Sequence, residues 1–187
     1  MNLEEIEKDV KSILSEKRFY HSKCVMDVCE ELAILYGVDI EAAKKVGIAH
    51  DIAKEMPEEE KLIYIKENSI QIDEIEKEYT GLLHAKIGAD IAKKKYGYTE
   101  EMAKAIEAHT TGKEDMDMLA KILYMADWTG IDRNEFEDIE YIRELSKTNI
   151  DEAIVYTLGQ IVEEKIEKNE QIHIDTILTR NKLLSKE

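Results

Sequence analysis

The chain has 187 residues, 43% of them apolar and 36% charged, with eight glycines and a single proline. Glycine and proline make up roughly 12% of an average protein, so their scarcity argues against sandwiches, collagen-like repeats and loop-dense folds. The apolar share argues against disorder. A formal net charge of −16 repels the phosphates that supply most nucleic-acid affinity, which disfavours DNA, RNA tracts and anionic membranes as partners. Small phosphorylated ligands remain, because a metal and a few cations invert the potential inside a cleft. The length predicts one domain over residues 1–187, at roughly 150 residues per domain.

Cys24 and Cys29 are the only cysteines, and a five-residue step on a helix turns them about 140° apart, unsuited to a disulfide or a shared metal. Residues 1–10 are acidic and amphipathic rather than a basic segment followed by an apolar block, and no long apolar run occurs. The expectation is a soluble cytoplasmic protein. The oligomeric state is left open, with a homodimer allowed.

Apolar spacing predicts helix after helix. Leu3, Ile6, Val10, Ile13 and Leu14 mark a helix over 3–16, and Val25, Val28, Leu32 and Leu35 mark one over 20–36 that Gly37 stops. Asp39 caps a helix to 49, and Pro57 opens one to 67. An irregular acidic piece over 72–79 precedes helices over 82–96, 100–109, 117–128 and 138–146. Asn149 with Glu152 forms a capping-box pattern ahead of a long helix to 167, residues 171–175 are extended, and a last helix covers 176–184. No repeat or linker appears. The fold class predicted is all-α.

The histidines fall at the ends of these stripes. One step of four before Val25 lands on His21; Ile40, Ala43 and Gly47 lead to His50; Met102, Ala105 and Ile106 lead to His109; Leu119, Ile122, Leu123 and Ala126 lead to Asp127. His84 opens the stripe of Ile87, Gly88 and Ile91, and Asp51 follows His50 directly. A lone histidine on an apolar face is ordinarily a hydrogen-bonded core residue, and an aspartate at a helix end is ordinarily a cap. Several imidazoles and carboxylates at the inner ends of five helices are costly without a common partner, and a divalent metal is the economical one.

The series His21, His50-Asp51, Asp127 resembles the metal-binding signature of the HD-domain phosphohydrolase superfamily, with His84 and His109 matching the two extra histidines of many members. Arg18-Phe19-Tyr20-His21, Ala49-His50-Asp51-Ile52-Ala53-Lys54, His109-Thr110-Thr111-Gly112, Ala126-Asp127-Trp128 and a tail from Ile172-His173 through Thr176 to Arg180-Asn181 are similar to the YqeK-type symmetrical diadenosine tetraphosphate hydrolases. The resemblance covers about residues 15–182. It implies a helical bundle with the metal in a core cleft, His21, His50, Asp51 and Asp127 as ligands, iron as the ion, and symmetrical cleavage to two ADP. Where that pattern carries a proline after the tail histidine, this chain has Ile174.

Read from the residues alone, a His/His/Asp/Asp set without thiolate suits an open first-row ion, iron, manganese or another, better than a closed structural zinc. Such an ion activates water and polarises a phosphoryl oxygen. Asp51, His84 and His109 are the candidate catalytic residues. His84 and His109 either ligate a second metal or contact substrate oxygens and donate a proton to the departing phosphate, the second being favoured. Lys54, one turn after Asp51, is a phosphate contact or a solvated lysine. Arg133, in an acidic loop with Asp132, Glu135 and Glu137, is a phosphate contact or a surface ion pair. Arg18 is a further phosphate contact or a partner of the acidic first helix. Thr110 offers a hydroxyl. Ile52 and Ala53, beside the His-Asp pair, and Gln171, Ile172, His173, Ile174 and Asp175, folding back over the cleft, complete the substrate-binding candidates with His21 and Asp127. The alternatives are a phosphohydrolase acting on a nucleoside monophosphate or guanosine alarmone, and a nucleotide-binding sensor without turnover.

Overall fold

A computed structural model describes residues 1–133 and 138–185, and among these every regular element is helical. α1 (Leu3–Ile13) begins at a reciprocal cap, in which Asn2 accepts from Glu5 N–H and Glu5 accepts from Asn2 N–H, both at 2.9 Å. α2 (Glu16–Tyr36) begins four residues earlier than apolar spacing predicts. Its first turn is Glu16-Lys17-Arg18, which carries no apolar signal, yet Ser15 caps it and is itself held by Glu55, which accepts from Ser15 N–H at 2.7 Å and from its hydroxyl at 2.6 Å. Gly37, in the left-handed region at φ 70°, ends the helix.

α3 (Ile40–Ala49) has the predicted bounds, with Asp39 accepting from Ala42 N–H at 2.8 Å. α4 (Glu58–Glu67) follows Pro57. The irregular acidic piece contains a short helix, α5 (Glu74–Glu78), with its own Asp73/Glu76 capping box. The predicted helix over 82–96 is three pieces: a 3-10 turn at Thr80–Leu82, α6 (Leu83–Ile91), and a widened π turn at Ala92–Tyr96 that ends on Gly97 at φ 73°. α7 (Glu100–Ala108), α8 (Met118–Thr129), α9 (Ile139–Thr148) and α10 (Ile150–Glu167) lie near their predicted bounds. α11 (Ile174–Leu184) starts two residues before the predicted 176, because His173 caps it through Asp175 N–H at 3.2 Å.

α2 packs on α3 and α8, α7 lies between α6 and α8, and α10 joins α8, α9 and α11. One large core contains Val25, Leu32, Ile48, Ile106, Leu123 and Leu158, each under 2% exposed; burial of such side chains stabilises by roughly 1.5–3 kcal/mol apiece before entropy is counted. A smaller cluster of Ala53, Ile65, Leu83 and Ile87 seats α4 against α6. Gly47 sets how near α3 comes to α2, since a Cβ there would lie 2.8 Å from Met26 Cα. No helix among the described residues is long and apolar enough to cross a membrane.

Candidate metal centre

Five helices bring polar groups to one point. His50 and His109 are the C-terminal caps of α3 and α7. Each turns Nδ1 onto the carbonyl three residues back: His50 onto Gly47 O at 2.8 Å, His109 onto Ile106 O at 2.6 Å, and His84, just after the 3-10 turn, onto Gly81 O at 2.5 Å. A carbonyl only accepts, so Nδ1 carries a proton in all three, and it is Nε2 that faces the centre, with a lone pair to offer whenever the ring is neutral. His21 comes from α2, with Nε2 at 2.9 Å from Asp127 Oδ1 and Nδ1 at 2.7 Å from Asp132 Oδ2.

His50 Nε2 lies 3.5 Å from Asp51 Oδ2 and 3.9 Å from Asp127 Oδ1. His21, His50 and Asp127 offer donor atoms within 4.8 Å of one another, as do His50, Asp51 and His109, so His50 belongs to both groups. Fully buried, its Nε2 has no hydrogen-bond partner among the described residues. A buried lone pair between two carboxylates is costly without a cation, and neutral imidazole with ionised carboxylate is the donor set that a divalent first-row ion takes.

The electrostatics hold the two carboxylates ionised and His84 neutral, while they favour the proton on His21 until a cation displaces it. Burial alone would raise Asp51, but His50, His109 and His84 outweigh it and hold the carboxyl well below the usual range. Asp127 is likewise lowered, against burial, by His21, His50 and Arg133. For His21, burial is overcome by the bonds to Asp127 and Asp132, and the pKa rises. Burial, with the charges of His109 and Lys54 behind it, takes His84 down to about 4 despite Asp51. At neutral pH His84 is therefore an acceptor, which removes the ground-state proton expected of it as an acid.

Cations surround the cluster. Lys54 Nζ donates to His84 Nε2 at 3.2 Å, and His84 Nε2 stands 3.1 Å from His109 Nε2. Arg133 donates from Nη2 to Asp127 Oδ1 at 2.8 Å and from Nε to Asp127 O at 3.0 Å. Arg18 donates to Asp51 Oδ2 at 2.9 Å rather than to the first helix. Of the acidic loop expected around Arg133, Asp132 reaches His21, while Glu135 and Glu137 lie outside the described residues.

Two cavities open beside the cluster and share Thr110 and Ile161 as walls. The smaller, about 200 Å³, is lined by His109, Asp127, Trp128 and Arg133. The larger, about 470 Å³, is walled by Ile75, Tyr79, Leu82 and Ile172, with Gln171, His173 and Thr176 from the tail. Ile52 and Ala53 have their side chains buried in packing. Ile174 is 54% exposed, and Asp175 pairs with Lys113 at 3.1 Å; none of these four lines either cavity. Ile75, Tyr79 and Ile161 were not signalled, because the short α5 and the outer flank of α10 show no inward stripe that ends on a polar group.

This fold and cluster define a helical protein with imidazole and carboxylate groups placed so that they could hold a divalent metal. The HD domain family matches residues 18–130. The symmetrical bis(5'-nucleosyl)-tetraphosphatase of Halalkalibacterium halodurans is 36% identical, covering 94% of this chain and 93% of that protein. The one from Bacillus subtilis is 32% identical over 99% of each. A crystal structure from Clostridium acetobutylicum, described as a predicted HD superfamily hydrolase involved in NAD metabolism, superposes with a TM-score of 0.95 at 32% identity, covering 100% of this chain and 99% of that one. The chain belongs to the HD-domain hydrolases and, within them, to the family of the symmetrical bis(5'-nucleosyl)-tetraphosphatases.

Proposed function

We propose that this protein hydrolyses dinucleoside tetraphosphates, diadenosine tetraphosphate first among them, symmetrically to two nucleoside diphosphates. The observation that carries the reading is that a cavity large enough for a nucleoside shares two wall residues, Thr110 and Ile161, with the smaller cavity that His109 and Asp127 line. The relatives named above share the activity in their names.

His21, His50, Asp51 and Asp127 are the proposed ligands, and iron the proposed ion on the family resemblance; the donor set, nitrogen and oxygen without thiolate, suits it as it suits manganese. When bound, a divalent first-row ion supplies Lewis acidity toward a phosphoryl oxygen and an activated water at neutral pH. The chain's own groups do the rest. Ile172 and Tyr79 hold a base between apolar faces, with Gln171 and His173 at the same wall. Thr110 lies where that cavity meets the cluster and is suited to a phosphate oxygen. Lys54 and Arg133 neutralise the charge that develops on the departing diphosphate; Lys54, whose ammonium already donates to His84 Nε2, is the proton-bearing member of the pair. Cys24 and Cys29 are free thiols, in accord with a cytoplasmic location.

Symmetrical cleavage requires that, with one nucleoside in the larger cavity, the second phosphorus from it lie at the cluster, so that the central bridge is the bond cut. Chromatography of the products from diadenosine tetraphosphate tests this. Two ADP are expected, ATP with AMP would overturn the assignment of the cavity, and absence of turnover with iron or manganese supplied would favour the nucleotide sensor.

A further inference from the structure

The cluster orients its histidines in two ways. His50, His84 and His109 each use a carbonyl three residues back. His21 lies in the second turn of α2, where the carbonyls of the preceding turn are taken up by the helix ladder. Its Nδ1 reaches instead to Asp132 Oδ2 at 2.7 Å, from a segment 111 residues away.

A tight turn after α8 delivers that carboxylate. Gly130 N–H donates to Ala126 O at 3.0 Å and Arg133 N–H to Gly130 O at 2.9 Å, so Asp132 and Arg133 leave the turn together. Arg133 takes Asp127 and Asp132 takes His21, which clamps both members of the His21–Asp127 contact from one short segment. A Cβ at position 130 would lie 2.7 Å from Asp132 Oδ1, so a glycine there leaves the carboxylate its place. The other oxygen, Asp132 Oδ1, is buried and has no hydrogen-bond partner among the described residues, a desolvation cost that the bond to His21 must offset.

We propose that Asp132 is a positioning residue for the metal centre: its carboxylate fixes the ring of His21 so that Nε2 faces Asp127 and His50. This rests on the reading of His21 as a ligand. An anionic partner on Nδ1 sets the tautomer and ring plane and makes Nε2 a stronger donor, an effect whose loss typically weakens metal binding by about 10–100-fold. Asp132 touches neither substrate nor metal and acts only through His21.

Titration of the metal-stripped protein with Co²⁺ tests the proposal in wild type, Asp132→Ala, Asp132→Asn and Gly130→Ala. Asp132→Ala should lose affinity by about 10–100-fold. Asp132→Asn, whose amide oxygen still accepts from Nδ1–H, should recover most of it. Gly130→Ala keeps the carboxylate but displaces it, and should resemble Asp132→Ala. Proton NMR of the Co²⁺-loaded protein adds a readout that general loosening would not produce. One exchangeable, hyperfine-shifted Nδ1–H signal, that of His21, should disappear in Asp132→Ala, while that of His50, held by Gly47 O, persists. Unchanged affinity in Asp132→Ala with both signals retained would overturn the proposal and leave the metal site standing. A wild-type protein that binds no Co²⁺ would overturn the metal site and this proposal with it.

Discussion

Gly47 and Gly159 both sit inside helices, α3 and α10, but only one has room for a methyl group. A Cβ at Gly159 would meet Arg180 Nε at 3.7 Å, an ordinary contact, whereas one at Gly47 would lie 2.8 Å from Met26 Cα and 3.1 Å from Met26 N and Cys29 Sγ. Alanine in place of a helical glycine stabilises by roughly 0.5–1 kcal/mol, and Gly159→Ala should show that gain. At position 47 the gain is opposed by overpacking against main chain that cannot rotate away, at about 1–3 kcal/mol. The net loss, up to about 2.5 kcal/mol, corresponds to a Tm lower by up to roughly 10 °C for a chain of this size. To restore contacts of 3.4–4 Å, α3 must withdraw from α2, and His50, one turn beyond Gly47, withdraws from His21. Calorimetric melting with a chelator present gives the stability, and metal titration gives the site. If Gly47→Ala melts at or above wild type, or binds metal as tightly, the approach of the two helices does not set the ligand geometry and the reasoning fails.

His50→Ala and Asp127→Ala should drain bound metal while circular dichroism keeps most of the helicity; unchanged stoichiometric metal would remove them from the ligand set. Lys54→Ala should keep metal but bind ADP more weakly in calorimetry, whereas Arg133→Ala should weaken both, because its guanidinium also holds Asp127. His84 provides a pH test in metal-free protein. Its folded pKa, lowered by burial to about 4 from 6.5, means the unfolded state binds more protons between those values. Its share of stability is therefore full above pH 6.5 and falls as the pH drops toward 4, by about 3 kcal/mol at most. Chemical denaturation of wild type and His84→Gln at pH 7 and pH 4 should show a smaller fall in the variant, and equal falls would contradict the buried neutral imidazole.

What was legible in the sequence followed the locality of its signals. α3 was readable at both ends because Asp39 caps through its own side chain and the stripe of Ala43, Val46 and Gly47 runs directly into His50. The start of α2 was not, because Ser15 depends on Glu55, a partner 40 residues away that no period reveals. The same division separates the polar groups. His21, His50, His84, His109 and Asp127 extend apolar stripes and announce their inward aim; Asp132 and Arg18 lie outside any stripe, and their places on His21 and Asp51 come only from tertiary geometry. The large cavity was half visible, through the tail, while its opposite wall at Ile75 and Tyr79 belongs to a helix too short to carry a period.

The placement of the histidines at helix ends has a consequence for the chemistry proposed for them. A helix that stops leaves carbonyls without intrahelical partners, and a capping histidine satisfies one of these with Nδ1–H while committing Nε2 to the interior. At His50 the orientation of the lone pair is thus a by-product of ending the helix, fixed by folding before any ion arrives, whereas Ile106 O takes His109 Nδ1–H in addition to the His109 backbone N–H at 3.4 Å. The orphaned Nε2 of His50 beside two carboxylates leaves the folded chain short of positive charge at its centre, although Arg18, Lys54 and Arg133 stand around it. Those cations face inward on the carboxylates while the rest of the surface carries the acidic excess. Arg133 lines the smaller cavity while it holds Asp127, so a cation held by the carboxylates would leave that guanidinium to a phosphate oxygen.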